Sequence, residues 1–121
     1  MASKKTLVLG SSTNPSRYSH LAVRKLVQYG HEVIAVGRKP GQILSVEIQT
    51  GMPPAEGVDT VTLYLNPVNQ CPFHDYILGL KPRRIIFNPG TENPELKSLA
   101  EAAGIETLAA CTLVMLSTGI Y

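Results

Sequence analysis

The side chains that could do chemistry sit in a few short places. The segment Gly10 to Arg17 reads GSSTNPSR. It offers the hydroxyls of Ser11, Ser12, Thr13 and Ser16, the amide of Asn14 and the guanidinium of Arg17. Small residues entering a helix leave backbone N–H groups free beside the positive end of the helix dipole, and such a loop takes an anion. A second place is Gly37 to Gly41, where Arg38 and Lys39 stand side by side. A third is the set of Asn-Pro pairs at 14–15, 66–67, 88–89 and 93–94. Catalytic constellations are missing. His20, His31 and His74 have no acid at a spacing that would face them, and Asp59, Asp75, Glu92 and Glu101 form no pair. The two cysteines, Cys71 and Cys111, have no ligand-like spacing, so neither a metal site nor a disulfide framework is assigned. Cys111, after the last strand, is the one thiol placed near the ligand edge.

These places line up once the elements are read. Lys5–Gly10 is an apolar run ending in glycine, as a buried parallel strand does. Arg17–Tyr29 has helical spacing, with Tyr18, Leu21, Ala22, Leu26 and Tyr29 on one stripe. Asn14 is expected to cap that helix, with Pro15 in its first position. Glu32–Gly37 is the second strand. Gly51, Pro53, Pro54 and Gly57 break the pattern from Gln42 to Asp59, where Val46–Gln49 is at most a short extended piece. Thr60–Leu65 and Arg84–Asn88 are strands three and four. Between them lies a helix capped by Asn69 or Cys71, with Phe73, Tyr76, Ile77 and Leu80 inward. Asn93–Pro94 caps a helix burying Leu96, Leu99, Ala100 and Ala103, and Ile105–Ala109 is strand five. Cys111–Leu116 is a short apolar turn of helix.

This is α/β alternation, and it implies a Rossmann-like, doubly wound parallel sheet of five strands in the order 3-2-1-4-5. Ligands in such folds sit beyond the carboxyl ends of the strands, where the order reverses. That crevice is expected between strands one and four, flanked by Gly10–Arg17 and Asn88–Gly90. The asparagine of an Asn-Pro pair is barred from helix, so each pair turns the chain and leaves an amide at this edge. Asn88 and Gly90 are read as ligand-facing. Lys81, Arg83 and Arg84 precede strand four and are read as a solvated face at the opposite edge.

The first loop is neither of the common phosphate loops. G-x-G-x-x-G would need glycine where Ser12 and Pro15 stand, and no Gly-Lys-Ser/Thr follows. NAD-binding relatives carry an acid at the end of the second strand; here Arg38 and Lys39 suit a phosphate on a ribose, as in NADP or the 3′-phosphate of coenzyme A.

The whole chain agrees with one domain, residues 1–121. A net charge of +2 is too small to argue for nucleic-acid binding. No apolar run is long enough for a membrane span or signal core, so a cytoplasmic protein is expected. Thr107–Tyr121 carries no charge. Packing across the domain is the simplest cover for its apolar residues, and a homodimer contact is the alternative.

The sequence resembles the small stand-alone coenzyme A-binding proteins, relatives of the amino-terminal domain of the succinyl-CoA synthetase alpha subunit. The resemblance spans nearly the whole chain. It rests on the strand–loop–helix start with Gly10–Arg17, on Val36–Gly37 closing strand two, and on Asn88–Pro94 before a helix. It implies a fold that takes the adenine nucleotide part of coenzyme A, or of an acyl-CoA, against the first loop and the end of strand two. Carried over, the cofactor-binding residues are Gly10, Ser11, Ser12, Asn14, Arg17, Gly37, Arg38 and Lys39, with Leu65, Asn88 and Gly90 closing the pocket. The synthetases also use a phosphorylated histidine in a second domain, so ligase activity is not carried over and no catalytic residue is assigned. Many relatives have Asn-Pro after strand two, where this chain has Arg38, Lys39 and Pro40. An NADP-binding enzyme or subunit, and an interaction domain that has lost its ligand, are the alternative functions.

Overall fold

The computed structural model describes residues 3–121. Among the described residues, seven strands form one sheet: β1 (Thr6–Ser11), β2 (Val33–Gly37), β3 (Gly41–Ile43), β4 (Val46–Gln49), β5 (Thr60–Leu63), β6 (Arg84–Phe87) and β7 (Glu106–Ala109). The order across the sheet is β3-β4-β2-β1-β5-β6-β7, and every pairing is parallel except β3 with β4. The helices are α1 (Tyr18–Gln28), α2 (Pro67–Gln70), α3 (His74–Gly79), α4 (Pro94–Ala102) and α5 (Thr112–Thr118), with a 3-10 turn at Cys71–Phe73.

The period-two alternation of the strands sorts the core into two layers. Leu7, Leu9, Val61, Leu63, Ile85 and Phe87 face a layer with Ile77 of α3 and Leu96 and Ala100 of α4. Val8, Ala35, Ile48 and Ile86 face the other, with Val23 and Leu26 of α1 and Met115 and Leu116 of α5. Helices therefore cover both faces, as a doubly wound sheet requires.

The fold class is the one expected, but strand count and order differ from 3-2-1-4-5. The piece Val46–Gln49 is a full strand that takes the place beside β2. The strand at Thr60–Leu63, expected beyond β2, pairs with β1 on its other side. All four of its residues are buried, which suits a central strand and not an edge. The reversal of order, and with it the crevice, falls between β1 and β5 rather than between β1 and β6.

Three local expectations also shift. The buried face of α1 is Ser19, His20, Ala22, Val23 and Leu26, whereas Tyr18, Leu21 and Tyr29 are exposed. Leu99 and Ala103 of the α4 stripe are exposed. Arg84 is not solvated: it is 4% exposed, donates to Thr60 Oγ1 and the Tyr121 backbone oxygen, and stacks on the Tyr121 ring. Of the uncharged carboxyl-terminal segment, Thr112, Met115, Leu116 and Tyr121 pack inward, while Val114 and Ile120 are exposed.

Candidate functional site

The loop after β1 is built by its own side chains. Asn14 does not cap α1; the helix begins three residues later, with Arg17 at its cap and no side-chain cap. Asn14 Oδ1 instead accepts from Ser16 N and Ser16 Oγ, and Asn14 N donates to Ser12 Oγ. This asparagine turn holds the chain off the helix axis, so Arg17 N bonds to Asn14 O before the helix starts. Among the described residues, no acceptor meets the backbone N–H of Ser12, Thr13, Tyr18 or Ser19. Orphan donors at a helix entry are the raw material of an anion site.

Two glycines let neighbouring chains close on this loop. Gly10 has φ +99°, and a Cβ there would press on the backbone of Tyr64 and Leu65. A Cβ on Gly37 would collide with the Ser11 carbonyl oxygen, so the ends of β1 and β2 approach only because Gly37 has none.

A cleft of about 580 Å³ opens where the sheet order reverses. Gly10, Ser11, Ser12, Thr13, Arg17, Tyr18 and Ser19 line one wall, and Arg38 and Lys39 close one end. Tyr64, Leu65, Asn66 and Asn69 form the β5 side, and Pro89 and Thr91 reach in from beyond β6. Arg17, Arg38 and Lys39 are exposed, and none is in an ion pair among the described residues. The lining contains no carboxylate. Burial raises the pKa of the Tyr64 phenol, whose hydroxyl lies near Thr62 and Thr112 without a hydrogen bond to either.

Of the residues expected from sequence, Gly10, Ser11, Ser12, Arg17, Arg38, Lys39 and Leu65 come together in this cleft. The other four do not line it. Asn14 shapes the loop from outside. Gly37 lies beneath Ser11 as a spacer. Asn88 is 2% exposed, and its amide is spent on Thr62 Oγ1, Leu63 O and the N–H of Thr112. Gly90 gives its N–H to Glu92 Oε1, while its neighbours Pro89 and Thr91 line the cleft. Asn88 and Gly90 therefore read as framework rather than contact.

Tyr18, Ser19, Tyr64, Asn69, Pro89 and Thr91 line the cleft without having been singled out for it. Tyr18, expected on the inward stripe of α1, is instead the first residue of the helix and is exposed. For Thr91 the link is the buried Gln70, whose Nε2 donates to both Leu65 O and Thr91 O and so ties the loop after β5 to the loop after β6.

Three comparisons with known proteins bear on this site. Residues 4–117 match the family model described as a CoA binding domain. No curated protein matches the chain. Among solved structures, one described only as an uncharacterized protein is 54% identical over the whole of both chains, with a TM-score of 0.97. A protein from Thermus thermophilus is 24% identical, covering 98% of this chain and 91% of its own, with a TM-score of 0.85. A hypothetical protein from Pyrococcus horikoshii is 20% identical over 95% of this chain and 82% of its own, with a TM-score of 0.82. The two more distant structures share the fold, and the family model spans all five parallel strands expected from the sequence and the loop that ends the first of them: the chain belongs to the CoA binding domain family.

Proposed function

We propose that the protein binds coenzyme A or an acyl-CoA through its adenine nucleotide part and performs no chemistry on it. The observation that carries this reading is the charge pattern of the cleft. Arg17, Arg38 and Lys39 stand at its rim without carboxylate neighbours in the lining, beside a loop rich in free N–H donors. A polyanionic cofactor meets such a rim with charge-assisted hydrogen bonds. The lining has no carboxylate, imidazole or thiol, which favours a carrier over an acid–base catalyst. Family membership supports coenzyme A over NADP, as does Ser12 in a position where a dinucleotide loop has glycine. Two free cysteines and this ligand class fit a cytoplasmic setting.

Thermal unfolding tests the reading. At a concentration a hundredfold above its Kd, coenzyme A is expected to stabilise the fold by about 2.7 kcal/mol, and NADP by much less. Equal shifts with both, or no shift with either, would overturn the assignment. Acetyl-CoA in the same samples is expected to keep its thioester; free thiol above the buffer control contradicts the non-catalytic part.

A further inference from the structure

His20 lies in the first turn of α1 and is 7% exposed. Its Nδ1 is 3.0 Å from the carbonyl oxygen of Ser12. A carbonyl oxygen can only accept, so Nδ1 carries the hydrogen and donates it. No peptide bond is cis among the described residues. In a trans peptide the carbonyl and the following N–H point in opposite directions. With the Ser12 carbonyl held against the imidazole, the Thr13 N–H is directed away from His20. Ser12 and Thr13 line the cleft and His20 does not. If that single peptide rotated, an oxygen would replace a donor on the side where an anion binds.

We propose that His20 is a positioning residue for the anion loop. Its Nδ1–H locks the Ser12–Thr13 peptide with N–H, not oxygen, toward a phosphate. The inference rests on the reading of the cleft as a cofactor site, and it names the side chain that sets the loop for that use.

Three variants separate this from a merely structural role. His20→Asn carries an amide N–H close to where Nδ1 stands, His20→Ala carries none, and His20→Gln places its amide too far out. In the ligand-free protein, the Ser12 carbonyl-carbon and Thr13 amide resonances are expected to move in the Ala and Gln variants and to stay near wild type in Asn. By calorimetry the Kd for coenzyme A should rise about tenfold in Ala and Gln and return to within about threefold in Asn. Inorganic diphosphate should follow the same order. Binding that is unchanged in Ala and Gln, or no better in Asn than in them, overturns the proposal, as does an unmoved Thr13 amide. The Gln–Asn pair decides it should the Ala variant not fold. A wild-type protein that ignores coenzyme A would instead refute the cofactor reading, and the ligand-free resonances would still decide the role of His20.

Discussion

Arg38 and Lys39 follow β2 with exposed side chains and no ion pair among the described residues, so their charge is open to a ligand. Replacing both with alanine is expected to weaken coenzyme A at least about tenfold and dephospho-CoA clearly less, because a hydrogen bond to a charged phosphate is the stronger kind. Equal losses in calorimetry would place these side chains away from the ribose phosphate. Asn88 should behave in the opposite way. Its amide bonds to Thr62, Leu63 and Thr112 inside the protein. Asn88→Ala is therefore expected to cost about 2–3 kcal/mol in urea unfolding while leaving the coenzyme A affinity of the folded fraction nearly unchanged. The difference between these residues marks what single positions disclose. Charges just beyond the carboxyl end of a parallel strand lie at the edge where such sheets take ligands. Whether an asparagine at that edge points in or out depends here on Thr62 and Thr112, which lie 26 and 24 residues away in sequence.

At the scale of elements, the strand–loop–helix–strand start was legible because apolar runs, a polar turn and a helix-closing glycine follow one another in short order. The hairpin of β3 and β4 was not. Its turn at Leu44 and Ser45 lacks the Asn-Gly or Asp-Gly signal, and Leu44 itself takes φ +54°. With β4 seated beside β2, the strand Thr60–Leu63 pairs instead with β1 on its other side. The crevice therefore lies one strand over from the place expected beside Asn88 and Gly90. The buried face of α1 also differs from the expected stripe. Tyr18 and Tyr29 look like core residues by composition, yet the smaller Ser19, His20 and Val23 are what fit between α1 and the sheet. Tyrosine tolerates exposure, so a stripe drawn through tyrosines is a weak guide to the buried side.

Across the whole molecule, the edge opposite the cleft is closed by a polar cluster. His31 Nδ1 accepts from Lys4 N, its ring meets the Tyr121 ring edge-on, and Arg84 stacks on Tyr121 from β6. Burial, with the Lys4 and Arg84 charges beside it, lowers the His31 pKa below the ordinary histidine value. A group whose folded pKa is depressed holds fewer protons folded than unfolded, so stability rises with pH across that window. Stability is thus expected to be full above about pH 6.5 and to fall as the pH drops below it. His31→Gln should flatten that fall in urea titrations between those conditions; an unchanged slope would mean that other groups dominate.

The central claim is that the crevice between β1 and β5 holds the nucleotide part of coenzyme A. Amide shift mapping during a coenzyme A titration tests it most directly. Perturbations are expected in Gly10–Ser19, at Arg38 and Lys39, and in Tyr64–Asn66, and the amino edge around His31 and Tyr121 should stay silent. Shifts centred on that opposite edge, or none at saturating coenzyme A, would contradict the account.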